Sequence, residues 1–75
     1  MEEHMDRIII DPEVLSGKPV IKGTRIPVYL ILELLADGMT EKEILSQYPT
    51  LKIEDIKAAL LYASKCIENE ETIVI

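Results

Sequence analysis

From Val28 to Ala36 the chain reads VYLILELLA, a run in which Glu33 is the only charge, and Asp37-Gly38 closes it. A glycine directly after such a run is a helix stop. A helix that is apolar all round must be covered on most of its sides. The whole chain has only 75 residues, too few for two hydrophobic cores, so either the remaining elements or a second copy must supply that cover. Small domains often gain stability from disulfides, metals or self-association. Cys66 is the only cysteine, which rules out an internal disulfide. Cys66 and His4 lie far apart, without CxxC or HxxxH spacing, so a structural metal cage is not expected either. Self-association is the remaining route.

The other elements follow from local signals. Ile8-Ile9-Ile10 is β-branched and stopped by Asp11-Pro12, and Thr72-Ile73-Val74-Ile75 has the same character; both read as short strands. Two such strands need partners, so they are expected to pair with each other or with a second copy. The glycine- and proline-punctuated segment Ser16–Pro27 reads as an irregular hairpin or tight extended turn. Thr40-Glu41-Lys42-Glu43 is a capping box that opens a second helix, with Ile44, Leu45 and Tyr48 as its buried stripe and Pro49 as its end. A third helix is expected over about 53–69, with Ile53, Ile56, Leu60, Ala63 and Ile67 on one face, widened by Leu61, Tyr62 and Cys66. The architecture is therefore mainly α: three helices, helix-turn-helix-like, in one domain over residues 1–75, with short β elements at both termini. Residues 1–5 are expected to fray.

Charge narrows the functional classes. Fourteen acids oppose eight bases, for a net charge of −6, so the chain cannot coat nucleic acid by charge alone. The balance is uneven, however. Residues 17–32 contain no acid while carrying Lys18, Lys22 and Arg25, and backbone amides near Gly17 and Gly23 could hold a phosphate or a partner's carboxylate. Gly17-Lys18 is not a P-loop, because Pro19 stands where Ser or Thr would bind magnesium. The bland alternative is that Gly and Pro merely shape the turn while Arg25 pairs with a nearby acid.

The helix, turn, helix order around Pro49-Thr50-Leu51-Lys52 suggests a DNA-reading unit. Against it, Glu54 and Asp55 open the third helix and would face phosphates unfavourably; they would equally serve the helix dipole. No catalytic constellation emerges. His4 has no orienting partner, and Cys66 beside Ile67 and Ala63 reads as a buried, inert thiol. Asp6, Asp11, Glu13 and Glu33 have no metal-ligand spacing. The chain is expected to be no enzyme, with no metal and no cofactor. No segment approaches the roughly 18 apolar residues of a membrane span. With no recognisable targeting sequence and a single cysteine, a cytoplasmic location is expected.

Ile9-Ile10-Asp11-Pro12, GKPVIKGTRIPV over 17–28, Gly38-Met39-Thr40, Glu43-Ile44-Leu45, Tyr48-Pro49, Glu54-Asp55-Ile56 and Ala58-Ala59-Leu60 together resemble the domain-of-unknown-function 433 family, over about residues 7–63. The resemblance implies a trihelical fold similar to homeodomain-like and winged-helix domains. It also implies an antitoxin encoded beside a PIN-like ribonuclease, acting as a homodimer that binds the nuclease or its own promoter DNA. Lys18, Lys22, Thr24 and Arg25 become the contact residues within the motif. Arg25 would reach the metal-binding carboxylates of the nuclease through charge-assisted hydrogen bonds. Lys52 stands where members usually carry Thr or Ser, a lost cap worth about 1 kcal/mol, although its cation could meet a phosphate; Lys57 completes the contact set. The dimer would be closed by Ile8, Ile10, Tyr29, Leu30, Leu61 and Tyr62. The alternative function is a homo-oligomeric interaction module without DNA binding.

Overall fold

Ile8 and Ile9 find their strand partner inside the chain. In the computed structural model, which describes residues 4–70, β1 (Ile8–Ile9) pairs antiparallel with β2 (Val20–Ile21), Ile8 opposite Ile21 and Ile9 opposite Val20. The expectation that the first strand pairs with the other terminus or with a second copy is thereby corrected: β2, hidden within the glycine-rich motif, satisfies it first. The run at 72–75 lies outside the described residues. Three helices follow: α1 (Val28–Ala36), α2 (Glu41–Gln47) and α3 (Ile53–Glu68). The fold is thus a mainly α domain of three helices with a two-stranded antiparallel sheet near its N-terminus.

The motif at 17–28 does form an irregular hairpin. Val20 bridges Pro27, the Ile21 N–H donates to the Ile26 carbonyl at 3.0 Å, and the Val28 N–H donates to the Pro19 carbonyl at 2.9 Å. Gly23 sits at φ 82, open to solvent, a backbone region that suits glycine. Upstream, Leu15, Ser16 and Gly17 form a short 3-10 turn in which all three residues have positive φ, at 50, 57 and 83.

The helix ends follow their local chemistry. Asp37-Gly38 closes α1 as a Schellman motif: the Met39 N–H donates to Leu34 and the Gly38 N–H to Leu35, with Gly38 at φ 95. The expected capping box is present, Thr40 Oγ1 accepting from the Glu43 N–H at 3.1 Å and Glu43 Oε1 from the Thr40 N–H at 2.9 Å. At α3 the Lys52 side chain cannot accept a hydrogen bond. Half a box survives, since Asp55 Oδ2 accepts from the Lys52 N–H at 2.9 Å.

Ile21, Val28, Ile31, Ile44, Leu51, Ile56 and Ala59 make the core, with Ile8, Ile26, Leu32 and Tyr62 among the half-buried residues packed on it. The expected stripe on α3 is corrected. Ile56 is buried, but Leu60 is 45% and Ile67 70% exposed, while Asp55, Ala58 and Ala59 are buried. Spacing alone favoured the bulky side chains. The small residues Ala58 and Ala59 fill the buried face instead, and the inward line runs Asp55, Ala59, Tyr62, Cys66, at helical intervals of four, three and four. On α1 only Val28 and Ile31 are fully buried, and Tyr29 is about half exposed. No helix among the described residues is long and apolar enough to cross a membrane.

Candidate interaction site

The 21–26 turn is held by one hydroxyl. Thr24 Oγ1 donates to the Ile21 carbonyl at 2.8 Å and accepts from the Ile26 N–H at 3.0 Å, and the Thr24 N–H also donates to Ile21. Thr24 therefore shapes the turn from within, while its neighbours Lys22 and Arg25 are exposed. Lys18 is exposed at the start of the same motif, as are Lys52 and Lys57 at the beginning of α3. Among the described residues neither Lys22 nor Arg25 forms an ion pair, so the bland reading in which Arg25 serves a neighbouring acid is not the arrangement found. Cations on a braced turn, not neutralised within the described chain, can meet an anionic group with little loss of backbone freedom.

A polar hollow of about 380 Å³ opens beside this turn, lined by His4, Asp6, Arg7, Lys22 and Asp55. Its floor is an ion pair. Arg7 Nη1 donates to Asp55 Oδ1 at 3.0 Å, and Asp55 is only 5% exposed. The Lys22 N–H donates to the Arg7 carbonyl at 2.7 Å, and the Arg7 N–H to the His4 carbonyl, so the turn, the first strand and the start of α3 are tied together at one point. Asp55 consequently does not face outward, and the expectation that it would oppose phosphates is corrected; Glu54 is half-buried next to it. Residue spacing did not single out Arg7. An acid at position 55, on the line of Ala59 and Tyr62, was the available signal, because a buried carboxylate needs a partner.

A second hollow, of about 250 Å³, is apolar. It runs between α1 and the later turns of α3 and is lined by Val28, Tyr29, Leu32, Tyr62, Ala63 and Cys66, with Lys18 and Pro19 at its edge. Cys66 is half-buried there, more open than the sealed thiol expected from the sequence. Loss of water contact, and then its hydrogen bond to Cys66, raise the Tyr62 phenol above its ordinary value of 10.0. Of the residues expected to close a dimer, Ile8 and Tyr62 pack on the core of their own chain. Leu30 and Leu61 are half-buried, and Ile10 and Tyr29 are exposed. The described residues bring no three His, Cys, Asp or Glu side chains together as metal ligands.

The braced turn lies within a longer stretch that establishes the kinship. A family model described as "Protein of unknown function (DUF433)" matches residues 8–63. The chain belongs to the DUF433 family. A DUF433 member from Anabaena variabilis has a crystal structure similar to this fold, with a TM-score of 0.79 and 36% identity, covering 89% of this chain and 66% of that one. An uncharacterized protein of Sinorhizobium fredii, y4eO, is 40% identical over 52 residues, 69% of this chain and 24% of that protein. An uncharacterized protein of Archaeoglobus fulgidus is 67% identical over 24 residues, 32% of this chain and 67% of its own length. The chain thus matches about a quarter of y4eO and about two thirds of the Archaeoglobus protein and of the Anabaena chain. The family match covers both strands, all of α1 and α2, and most of α3.

Proposed function

We propose that this DUF433 chain is a binding protein without catalytic activity, the antitoxin of a pair whose toxin is a PIN-like ribonuclease. The observation that supports this reading is the braced turn, on which Lys22 and Arg25 stand exposed without an ion-pair partner among the described residues. A nuclease that holds metal with clustered carboxylates offers the complementary charge, and a guanidinium can bond a carboxylate through two parallel N–H groups. In this reading Arg25 enters the nuclease site, Lys18 and Lys22 flank it, and Thr24 fixes the angle of approach. The acidic remainder of the domain faces the nuclease's basic RNA-binding surface, which speeds association.

Autoregulation belongs to the same proposal. Lys52 and Lys57 are exposed on the first part of α3, and promoter DNA would meet a homodimer through local contacts of this kind. Such binding weakens steeply with salt. The test is a two-component inhibition assay with a PIN-like ribonuclease, taken from beside this gene where one is encoded there. Arg25→Ala is expected to weaken inhibition about tenfold or more, a charge-assisted hydrogen bond being worth about 1.5–3 kcal/mol. Full inhibition by that variant removes Arg25 from the mechanism, and no inhibition by the unaltered chain removes the antitoxin role.

A second reading is a homo-oligomeric interaction module. It is favoured by large apolar side chains left exposed, Ile10, Tyr29, Leu60 and Ile67. A dimer that forms without the nuclease and does not retain its upstream DNA at low salt would favour it over the first.

A further inference from the structure

We propose that the polar hollow beside the 21–26 turn binds a small phosphorylated polyol, a sugar phosphate being the simplest case, with Arg7 and Lys22 on the phosphate and Asp6 on a hydroxyl group. Arg7 is fixed in place: its Nη1 donates to Asp55 Oδ1 at 3.0 Å, and the second oxygen of that buried carboxylate is taken by the Lys52 N–H at 2.9 Å. A guanidinium has more N–H donors than one carboxylate oxygen accepts, and the Arg7 side chain is only half-buried, so an oriented cation with further donors lines the hollow. Lys22 is brought to the same place by its backbone, whose N–H donates to the Arg7 carbonyl at 2.7 Å. Its ammonium has no ion pair among the described residues. Two cations placed this way suit a phosphate, which a guanidinium can bond through two N–H groups.

The rest of the lining bears on what the phosphate is attached to. His4, Asp6, Arg7, Lys22 and Asp55 are all polar, so the hollow offers no apolar wall for an acyl chain and no Phe, Tyr or Trp ring on which a nucleobase could stack. Asp6 is exposed and has no ion pair among the described residues. A carboxylate there repels a bare phosphate and accepts from the hydroxyl groups of a phosphate that carries them. The space of about 380 Å³ falls within the usual range of small-molecule sites, about 300–1,000 Å³. The net charge of −6 disfavours an extended polyanion, which leaves a compact ligand with a single phosphate. The site shares Lys22 with the nuclease reading but does not rest on it, because Arg25 is not among its lining residues.

Glucose 6-phosphate and inorganic phosphate are titrated at fixed ionic strength into the full chain, Lys22→Ala, Asp6→Ala and the control Lys42→Ala, with backbone amide resonances as the readout. The expected result is saturable shifts centred on Asp6, Arg7 and Lys22, with glucose 6-phosphate binding about tenfold more tightly than inorganic phosphate. Lys22→Ala should weaken both ligands about tenfold, the scale of one charge-assisted hydrogen bond. Asp6→Ala should abolish the preference for the sugar phosphate. Lys42 is an exposed cation on α2, outside the hollow, and its removal should change neither affinity. Absence of saturable shifts at these residues overturns the proposal. Equal losses in Lys22→Ala and Lys42→Ala also overturn it, since they mark general charge attraction, and inorganic phosphate binding as tightly as glucose 6-phosphate overturns the polyol assignment. Lys22 and Asp6 are both exposed; should Lys22→Ala nevertheless disturb the turn, Lys22→Gln is held to the same tenfold loss.

Discussion

Arg7 and Asp55, 48 positions apart, meet at 3.0 Å and join the N-terminal strand to the first turn of α3. Asp55 uses its second oxygen to accept the Lys52 N–H, so one buried carboxylate both fastens the strand arm and caps the helix. Asp55→Asn is expected to lower stability by about 2 kcal/mol, within the range for hydrogen bonds to charged groups. A double-mutant cycle with Arg7→Met, read from urea midpoints, should give a coupling near 1 kcal/mol, kept modest because the Arg7 side chain is 35% exposed. Strict additivity would mean that the two side chains act independently.

Thr24→Val keeps the shape and removes both hydroxyl bonds of the turn. The expected cost is about 1 kcal/mol in unfolding free energy. Thr24→Ser should recover most of it. If valine leaves stability and partner binding untouched, the hydroxyl does not brace Arg25.

Lys52→Thr restores a side-chain acceptor at the start of α3, where Asp55 already forms the reciprocal bond. Thermal or urea unfolding should show a gain of about 0.5–1 kcal/mol. A loss would indicate that the lysine holds some other contact in solution.

Ile31→Ala and Leu60→Ala separate the true core from the face that spacing suggests. Ile31 is fully buried, so its truncation should cost about 2–5 kcal/mol. Leu60 is half exposed, and its truncation should cost less than about 1 kcal/mol. Similar costs at the two positions would mean that α3 turns its leucine inward or buries it against another molecule.

Tyr62 gives a pH-dependent readout. Its folded pKa is raised, first by burial and then by Cys66, so the neutral phenol is favoured in the folded chain. That contribution is complete below the ordinary phenol value near 10 and is lost as pH climbs through the raised value. Ultraviolet titration should place Tyr62 above the phenol of the denatured chain, and the unfolding midpoint should fall on the alkaline side of 10. A Tyr62 titration at or below the denatured value would contradict the arrangement with Cys66.

The elements legible in the sequence are those whose signals lie within a few residues. The Thr40–Glu43 box, the Gly38 stop and the extent of α3 each depend on one helical turn of chain. The Gly/Pro motif showed a turn with exposed cations, and its resemblance showed the family. What could not be read is nonlocal. Two residues of β2 captured β1 from a presumed terminal partner, and Arg7 reached Asp55 across most of the domain. The register of α3 was missed because the small Ala58 and Ala59, not the larger leucine and isoleucine, are the side chains it buries, and close approach between elements is a property of both surfaces at once.

Leu15, Ser16 and Gly17 follow one another with positive φ, and for the two residues with side chains that conformation costs roughly 1–2 kcal/mol each. Natural domains are stable by only about 5–15 kcal/mol, so this bend holds a meaningful fraction of what could be released. It lies between the strand arm and the hairpin, outside the three helices. The segment from Arg7 to Gly17 is thus fastened at its start by the Arg7–Asp55 ion pair and bent left-handed at its end, so relieving that bend is where sequence changes outside the helices have most stability to gain.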